Sequence, residues 1–301
     1  MRRTTIRANG IDLDLHSAGD ASAPLLLFLH GFPQHADSWS EVMPAFAGTY
    51  HVAAPNQRGY AGSSRPEGVA AYAIKHLVRD MLALADQLAP ERPFSVVGHD
   101  WGGAVAYAMA IAAPRRIARL AVINGVHPGP FQRALIGDAT QQAASSYMHE
   151  LRAGHAEREL SGNGHAGLMQ MMARFGDLAW MTADQRATYL QGWSAPGALT
   201  AMLNWYRASP LVVPRAGETV DMAKVPRLDA GQLRVRMPHL LIWGMQDRAL
   251  LPVTRSTLPD YCDHRVVVRE IDGADHWVVH QQGDQVIALL KEFLSGQEQT
   301  V

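Results

Sequence analysis

The sequence predicts an α/β protein: a mostly parallel central sheet flanked by helices, with a helical cap inserted once into it. Three observations carry this reading. Short apolar runs alternate with helical periodicities over residues 1–127, that rhythm stops over residues 128–232, and strand signals return over residues 233–301.

Taken in order, Ile11, Leu13 and Leu15 alternate with Asp12 and Asp14, as a half-exposed strand should. Pro24 then punctuates, and Leu25–Leu29 is continuously apolar, the pattern of a central strand covered on both faces. Residues 52–54 are a weaker strand. From Ile74 to Leu88 the apolar Leu77, Met81, Leu84 and Leu88 recur at helical spacing. Residues 94–97 read as a short buried strand, followed at once by glycine and a small-residue helix over 104–113 that Pro114 stops. The next strand is at 120–123. The insertion is rich in Ala, Met, Gln and His, and reads as helices separated by breakers at 161–164 and 195–197. After Met237-Pro238 come strands at 239–243 and Val266–Ile271, then a final amphipathic helix over 278–294.

A chain of 301 residues, 48% hydrophobic and 18% charged, suits one large core with an insertion and is too apolar for disorder. Its formal net charge of −1 supplies no field to draw in nucleic acid or an anionic membrane. The one cysteine, Cys262, lacks a partner for an internal disulfide and reads as a reduced bystander. No apolar run follows Met1-Arg2-Arg3 before the polar stretch around Asn9-Gly10, so no signal peptide is expected. The apolar run at Leu25–Leu29 is too short to span a bilayer. A cytoplasmic, water-soluble protein is expected, with monomer and homodimer both open.

The strongest chemical signal is Gly98-His99-Asp100-Trp101-Gly102-Gly103 between a strand and a helix. Glycine–x–nucleophile–x–glycine on such a turn is the nucleophile elbow, which lifts its central side chain above the sheet. Small neighbours let strand and helix approach. The central residue here is Asp100. A carboxylate attacks saturated carbon and becomes an alkyl ester, whose hydrolysis needs a base for water and two donors for the oxyanion. The elbow supplies the Trp101 N–H as one donor. His30-Gly31-Phe32-Pro33, just after Leu25–Leu29, supplies the Phe32 N–H as the other. The base should be a late histidine beyond the last strand. His276, in Gly273-Ala274-Asp275-His276-Trp277, has that position, whereas His280 falls inside the helical run. Asp247, past the strand ending near Trp243, completes the chain order nucleophile, acid, histidine. Asp272 and Asp275 read as loop-solvating residues.

With these residues in place, the chain resembles the epoxide hydrolases of the α/β-hydrolase superfamily, over nearly its whole length. The shared motifs are His30-Gly31-Phe32-Pro33, Gln57-Arg58-Gly59-Tyr60 followed by Gly62-Ser63-Ser64, the Asp100 elbow, and Asn124-Gly125-Val126-His127-Pro128. The resemblance implies an α/β-hydrolase fold and hydrolysis of an epoxide to a vicinal diol without a cofactor. In the cap, Leu203-Asn204-Trp205-Tyr206-Arg207 looks like the segment with one ring-opening tyrosine, which makes Tyr206 a donor to the epoxide oxygen. The family's second tyrosine precedes a turn like Arg152-Ala153-Gly154-His155-Ala156-Glu157. Counting back from Gly154 gives His149, with Tyr147 two residues away. Either side chain can donate, and His149 is the expected second donor. Trp101, Phe32, Tyr147 and Trp205 are expected to contact substrate.

Dehalogenases with a carboxylate nucleophile are the nearest alternative. Haloalkane dehalogenases generally carry Asn where Phe32 stands. Fluoroacetate dehalogenases place arginines beside the nucleophile, where this chain has Trp101 and Ala104, and take their acid where it has Asn124. A non-catalytic receptor on the same scaffold need not keep nucleophile, base, acid and oxyanion loop together. The cap methionines Met148, Met169, Met171, Met172, Met181 and Met202 are expected to pack the cap and line an adaptable pocket. The histidines show no metal-ligand spacing, and no metal is expected.

Overall fold

The computed structural model describes residues 1–215 and 217–296. Its strands are β1 (Arg2–Ala8), β2 (Ile11–Ala18), β3 (Leu25–Leu29), β4 (His51–Pro55), β5 (Phe94–His99), β6 (Ile117–Ile123), β7 (His239–Gly244) and β8 (Val266–Ile271). They form one 8-stranded sheet in the order β1-β2-β4-β3-β5-β6-β7-β8. The β1–β2 and β2–β4 pairs are antiparallel, and every pairing from β4 onward is parallel.

β3 shows why an unbroken apolar run belongs at the centre. Leu25, Leu27 and Leu29 join one core layer, with Leu77, Met81 and Leu84 of α1 (Ile74–Leu88) and Val105 and Met109 of α2 (Trp101–Ala112). Leu26 and Phe28 face the other layer, with Val278 of α9 (Val278–Gln281) and Val286 and Leu290 of α10 (Gly283–Ser295). Period-2 alternation thus divides one strand between two cores.

Between β6 and β7 the described residues form six helices: α3 (Pro128–Gly137), α4 (Ala139–Ala144), α5 (Tyr147–Arg152), α6 (Ala156–Phe175), α7 (Ala183–Trp193) and α8 (Ala198–Arg207). No strand lies among the described residues of this stretch. The breaker at 161–164 acts inside α6, where Asn163 (φ 50), Gly164 (φ 64) and His165 (φ 64) turn left-handed. The breaker at 195–197 separates α7 from α8, with Gly197 at φ 75.

Three expectations change. β1 was not anticipated, although Asn9-Gly10 is a two-residue hairpin signal. Both residues have positive φ, 47 and 79, and Ala8 pairs with Ile11 across the turn. As a result β2 is covered on both sides rather than half-exposed: Asp14 is buried, bonded to Arg3 (Nε–Oδ1, 2.8 Å) and Asn56 (2.8 Å). The final helix is two, because the chain leaves helical geometry at Gln282 (φ −132, ψ 41). Among the described residues no helix is long and apolar enough to cross a membrane.

Candidate active site

Asp100 stands where β5 turns into α2, at φ 52 and ψ −119. A non-glycine residue in this region is strained and persists only where its surroundings hold it. Here its N–H bonds the carbonyls of Ile123 (3.3 Å) and Asn124 (3.2 Å), and its carbonyl accepts from Ala104 (3.1 Å). The helix can begin this close to β3 because Gly102 has no Cβ; one would collide with the Leu29 carbonyl. Gly31 is required on the other side, where a Cβ would strike the Asp100 carboxylate.

The oxyanion loop is built by His30. Its Nε2 accepts from the Gln57 N–H (3.1 Å), and Gln57 Nε2 donates to its carbonyl (2.7 Å). Burial holds the imidazole down at about 3, so it stays neutral and can accept. The loop so fixed presents the Phe32 N–H to Asp100 Oδ1 at 2.7 Å, and the Trp101 N–H also bonds the carboxylate. The structure thus brings both sequence-derived donors to one carboxylate.

His276 Nε2 lies 3.6 Å from Asp100 Oδ2, and its Nδ1 lies 2.8 Å from Asp247 Oδ2. Asp247 is fully engaged: Oδ1 accepts from the N–H groups of Ala249 (2.8 Å) and Leu250 (2.9 Å), and Oδ2 also accepts from Asn124 Nδ2 (2.7 Å). Asn124 was not assigned a role from sequence. Its Oδ1 accepts from the Gly244 N–H at 2.7 Å, so it anchors the acid to the end of β7. Its position after β6 was the available signal.

Burial disfavours the charged form of His276, but Asp247 and then Asp100 outweigh it and push the imidazole up to about 9. Burial likewise pushes Asp100 above the usual carboxylate range, against the pull of His276 and of the Trp101 and Phe32 N–H groups. His276 and Asp100 thus favour each other's charged form, while burial opposes both.

Asp100 opens into a cavity of about 300 Å³. Tyr147, Tyr206, Trp101 and Trp205 line it. Tyr206 packs edge-on against Phe32 (5.0 Å) and Trp101 (5.2 Å), the two residues whose N–H groups hold Asp100. The Tyr147 ring lies 6.2 Å from it. Burial above all, reinforced by the Asp100 charge, holds both phenols above the ordinary tyrosine range, so each keeps its proton to donate.

His149 is not brought to this cavity. Its ring turns to the Pro214 carbonyl, near Arg215 and Glu218. The expected pairing of His149 with Tyr206 is therefore replaced geometrically by Tyr147 with Tyr206. On an α-helix two residues differ by about 200°, so side chains at 147 and 149 leave α5 on opposite sides. The Phe32 side chain is buried behind Tyr206 and does not line the cavity. Of the cap methionines only Met148 does. His280 stacks on Trp180 (3.8 Å) beside Gln34 (2.6 Å), away from the triad. Asp275 is not solvated: buried, it accepts from the N–H groups of Asp177 (2.6 Å) and Trp277 (2.9 Å). No metal-ligand cluster occurs among the described residues.

A carboxylate at a strained strand–helix turn, an Asp–His pair behind it and a doubly wound sheet beneath define the α/β-hydrolase class. The model of the alpha/beta hydrolase fold matches residues 24–282. The AB hydrolase superfamily protein YfhM of Bacillus subtilis (strain 168) is 34% identical over 97% of each chain. Epoxide hydrolase A of Mycobacterium tuberculosis is 31% identical, again over 97% of each. A solved structure of an epoxide hydrolase from metagenomes of hot environments is 33% identical, with a TM-score of 0.89 over 97% of this chain and 98% of that one. The chain belongs to the epoxide hydrolase family of the α/β-hydrolase superfamily.

Proposed function

We propose that this protein opens an epoxide to a vicinal diol in two steps. A carboxylate oxygen of Asp100 attacks one ring carbon, and the carbon–oxygen bond breaks as Tyr147 and Tyr206 hydrogen-bond the departing oxygen, one phenol passing it a proton so that it becomes a hydroxyl on the neighbouring carbon. Water, deprotonated by His276 with Asp247 behind it, then adds to the carbonyl carbon of the Asp100 ester. The Phe32 and Trp101 N–H groups stabilise the oxyanion; as it collapses the second hydroxyl of the diol takes the proton from His276, and the proton left on the Asp100 carboxyl returns to the phenolate, restoring the carboxylate. The observation that carries this reading is Asp100 itself: one oxygen bonded to Phe32 at 2.7 Å, the other 3.6 Å from His276, and two protonated phenols on the cavity it faces. A serine at the elbow would point to esters. A carboxylate suits displacement at saturated carbon, and neutral phenols suit an alkoxide leaving group better than a halide. The active chain is expected in the cytoplasm, with His149 outside the donor pair.

Two measurements test it together. With His276→Gln the first step should survive and the second stall, leaving a whole epoxide covalently on a peptide containing Asp100, detected by mass spectrometry. In a single turnover in ¹⁸O-water with enzyme in excess, label should enter Asp100 and be absent from the first diol. Prompt label in that diol would mean direct attack of water on the ring and would overturn the ester. Halide release from haloalkanes without epoxide turnover would move the same triad to dehalogenation.

A further inference from the structure

Resting on the epoxide reading above and deepening it, we infer that the substrate is a terminal epoxide bearing one long, uncharged, apolar tail, and that Ala104 and Ala108 set the usable tail length. The cavity is not centred on Asp100. His276 is packed in by His99 (5.0 Å), Phe175 (5.7 Å) and Trp277 (4.9 Å), and none of these lines the open space. Asp100 therefore closes one end of it.

From there the space follows α2. Trp101, Ala104, Ala108 and Ile111 line it, at the three- and four-residue intervals of one helix face. The ten steps from Trp101 to Ile111 span about 15 Å at a rise of about 1.5 Å each. That is room for roughly ten carbons at about 1.3 Å each, the zigzag projection of a ~1.5 Å bond. Insertion residues such as Leu211 and Leu228 supply further wall. Among the described lining residues Asp100 carries the only charge, so an ionised tail would be buried without a counter-charge. One carbon of the ring can carry a tail down this channel, while the other faces the closed end and must be small. Ala104 and Ala108 face this space with a single methyl each, so a longer side chain at either position would enter it.

The test is a series of 1,2-epoxybutane, 1,2-epoxyoctane, 1,2-epoxydodecane and the internal 6,7-epoxydodecane, run on the full chain and on Ala108→Val, Ala108→Phe and Ala112→Phe. In the wild type, kcat/KM should climb about fourfold per added methylene up to the octane, from the burial of each CH₂. The internal epoxide should fall at least tenfold below its terminal isomer. Ala108→Phe should lower the dodecane-to-butane ratio by about 100-fold or more, with Ala108→Val intermediate. Ala112→Phe, exposed on the same helix and outside the cavity, should keep the wild-type ratio. The valine variant keeps the test decisive if the phenylalanine variant fails to fold. A flat chain-length profile, an unchanged ratio in both Ala108 variants, or preference for the internal epoxide would overturn the tail specificity and leave epoxide hydrolysis standing. No turnover of any of these epoxides by the wild type would overturn both.

Discussion

At the scale of single residues, the site is a contest between burial and charge. His276 is buried, yet two carboxylates push it up to about 9. Esterification removes the negative charge of Asp100, and with it part of what raises the imidazole. The low-pH limb of ester hydrolysis, measured in single turnovers with enzyme in excess, should therefore lie below pH 9; a limb at or above that value would contradict this coupling. The phenols give a second residue-scale prediction. Tyr147→Phe and Tyr206→Phe should each slow alkylation by roughly 10- to 1,000-fold, about 1.5–4 kcal/mol, while His149→Phe should stay within a few-fold of wild type. Stopped-flow fluorescence can follow this step, because Trp101 adjoins Asp100. A crippled His149→Phe with a near-normal Tyr147→Phe would restore the pairing expected from sequence.

At the scale of elements, the site depends on how loops are tied to one another. The loop bearing His276 is held to the end of α6 by Asp275, whose carboxylate accepts from Asp177 and Trp277. Its close fit extends to Gly176, where a Cβ would collide with that carboxylate. Asp275→Ala leaves two N–H groups without a partner, at a cost of about 1–3 kcal/mol each where they stay dry. Chemical denaturation should show that loss, and kcat should fall with it because the base is no longer held against the insertion. Unchanged stability and kcat would show that water replaces the carboxylate. The elbow is a second close junction, where β5, α2 and β3 meet and a Cβ on Gly102 would collide with the Leu29 carbonyl.

Across the whole molecule, buried histidines set the response to acid. Burial holds His30, His239 and His280 down to about 3 and His127 to about 4. In the unfolded chain each would protonate near 6.5, so below that pH the unfolded state binds more protons and stability is lost as pH falls. His276 works the other way. Its contribution is fully present below about 6.5 and is lost as pH rises through about 9. Several groups on the acid side against one on the alkaline side predict an asymmetric profile. By calorimetry, Tm should drop more between pH 6.5 and 4.5 than between pH 6.5 and 8.5, and the reverse asymmetry would contradict the buried, neutral imidazoles.

Short-range physics made much of this legible in the sequence. The apolar run of β3, the helical spacing of α1 and the glycines around Asp100 act within a few residues, and each appears where its pattern placed it. Likewise the elbow, the His-Gly loop and a late histidine are local motifs, and the structure brings Asp100, Phe32, Trp101, His276 and Asp247 together. The remainder required the folded chain. Asp14 is buried because a hairpin from one side and Asn56 from another meet its carboxylate. Asn124 holds Asp247 across 123 positions of chain, a pairing no local pattern encodes. The choice of Tyr147 over His149 turned on which way α5 faces, and a helix of six residues has too few positions to declare its buried side. Its packing against α8 declares it instead: sequence determined which groups this protein has for its chemistry, and tertiary contact alone decided which of them meet.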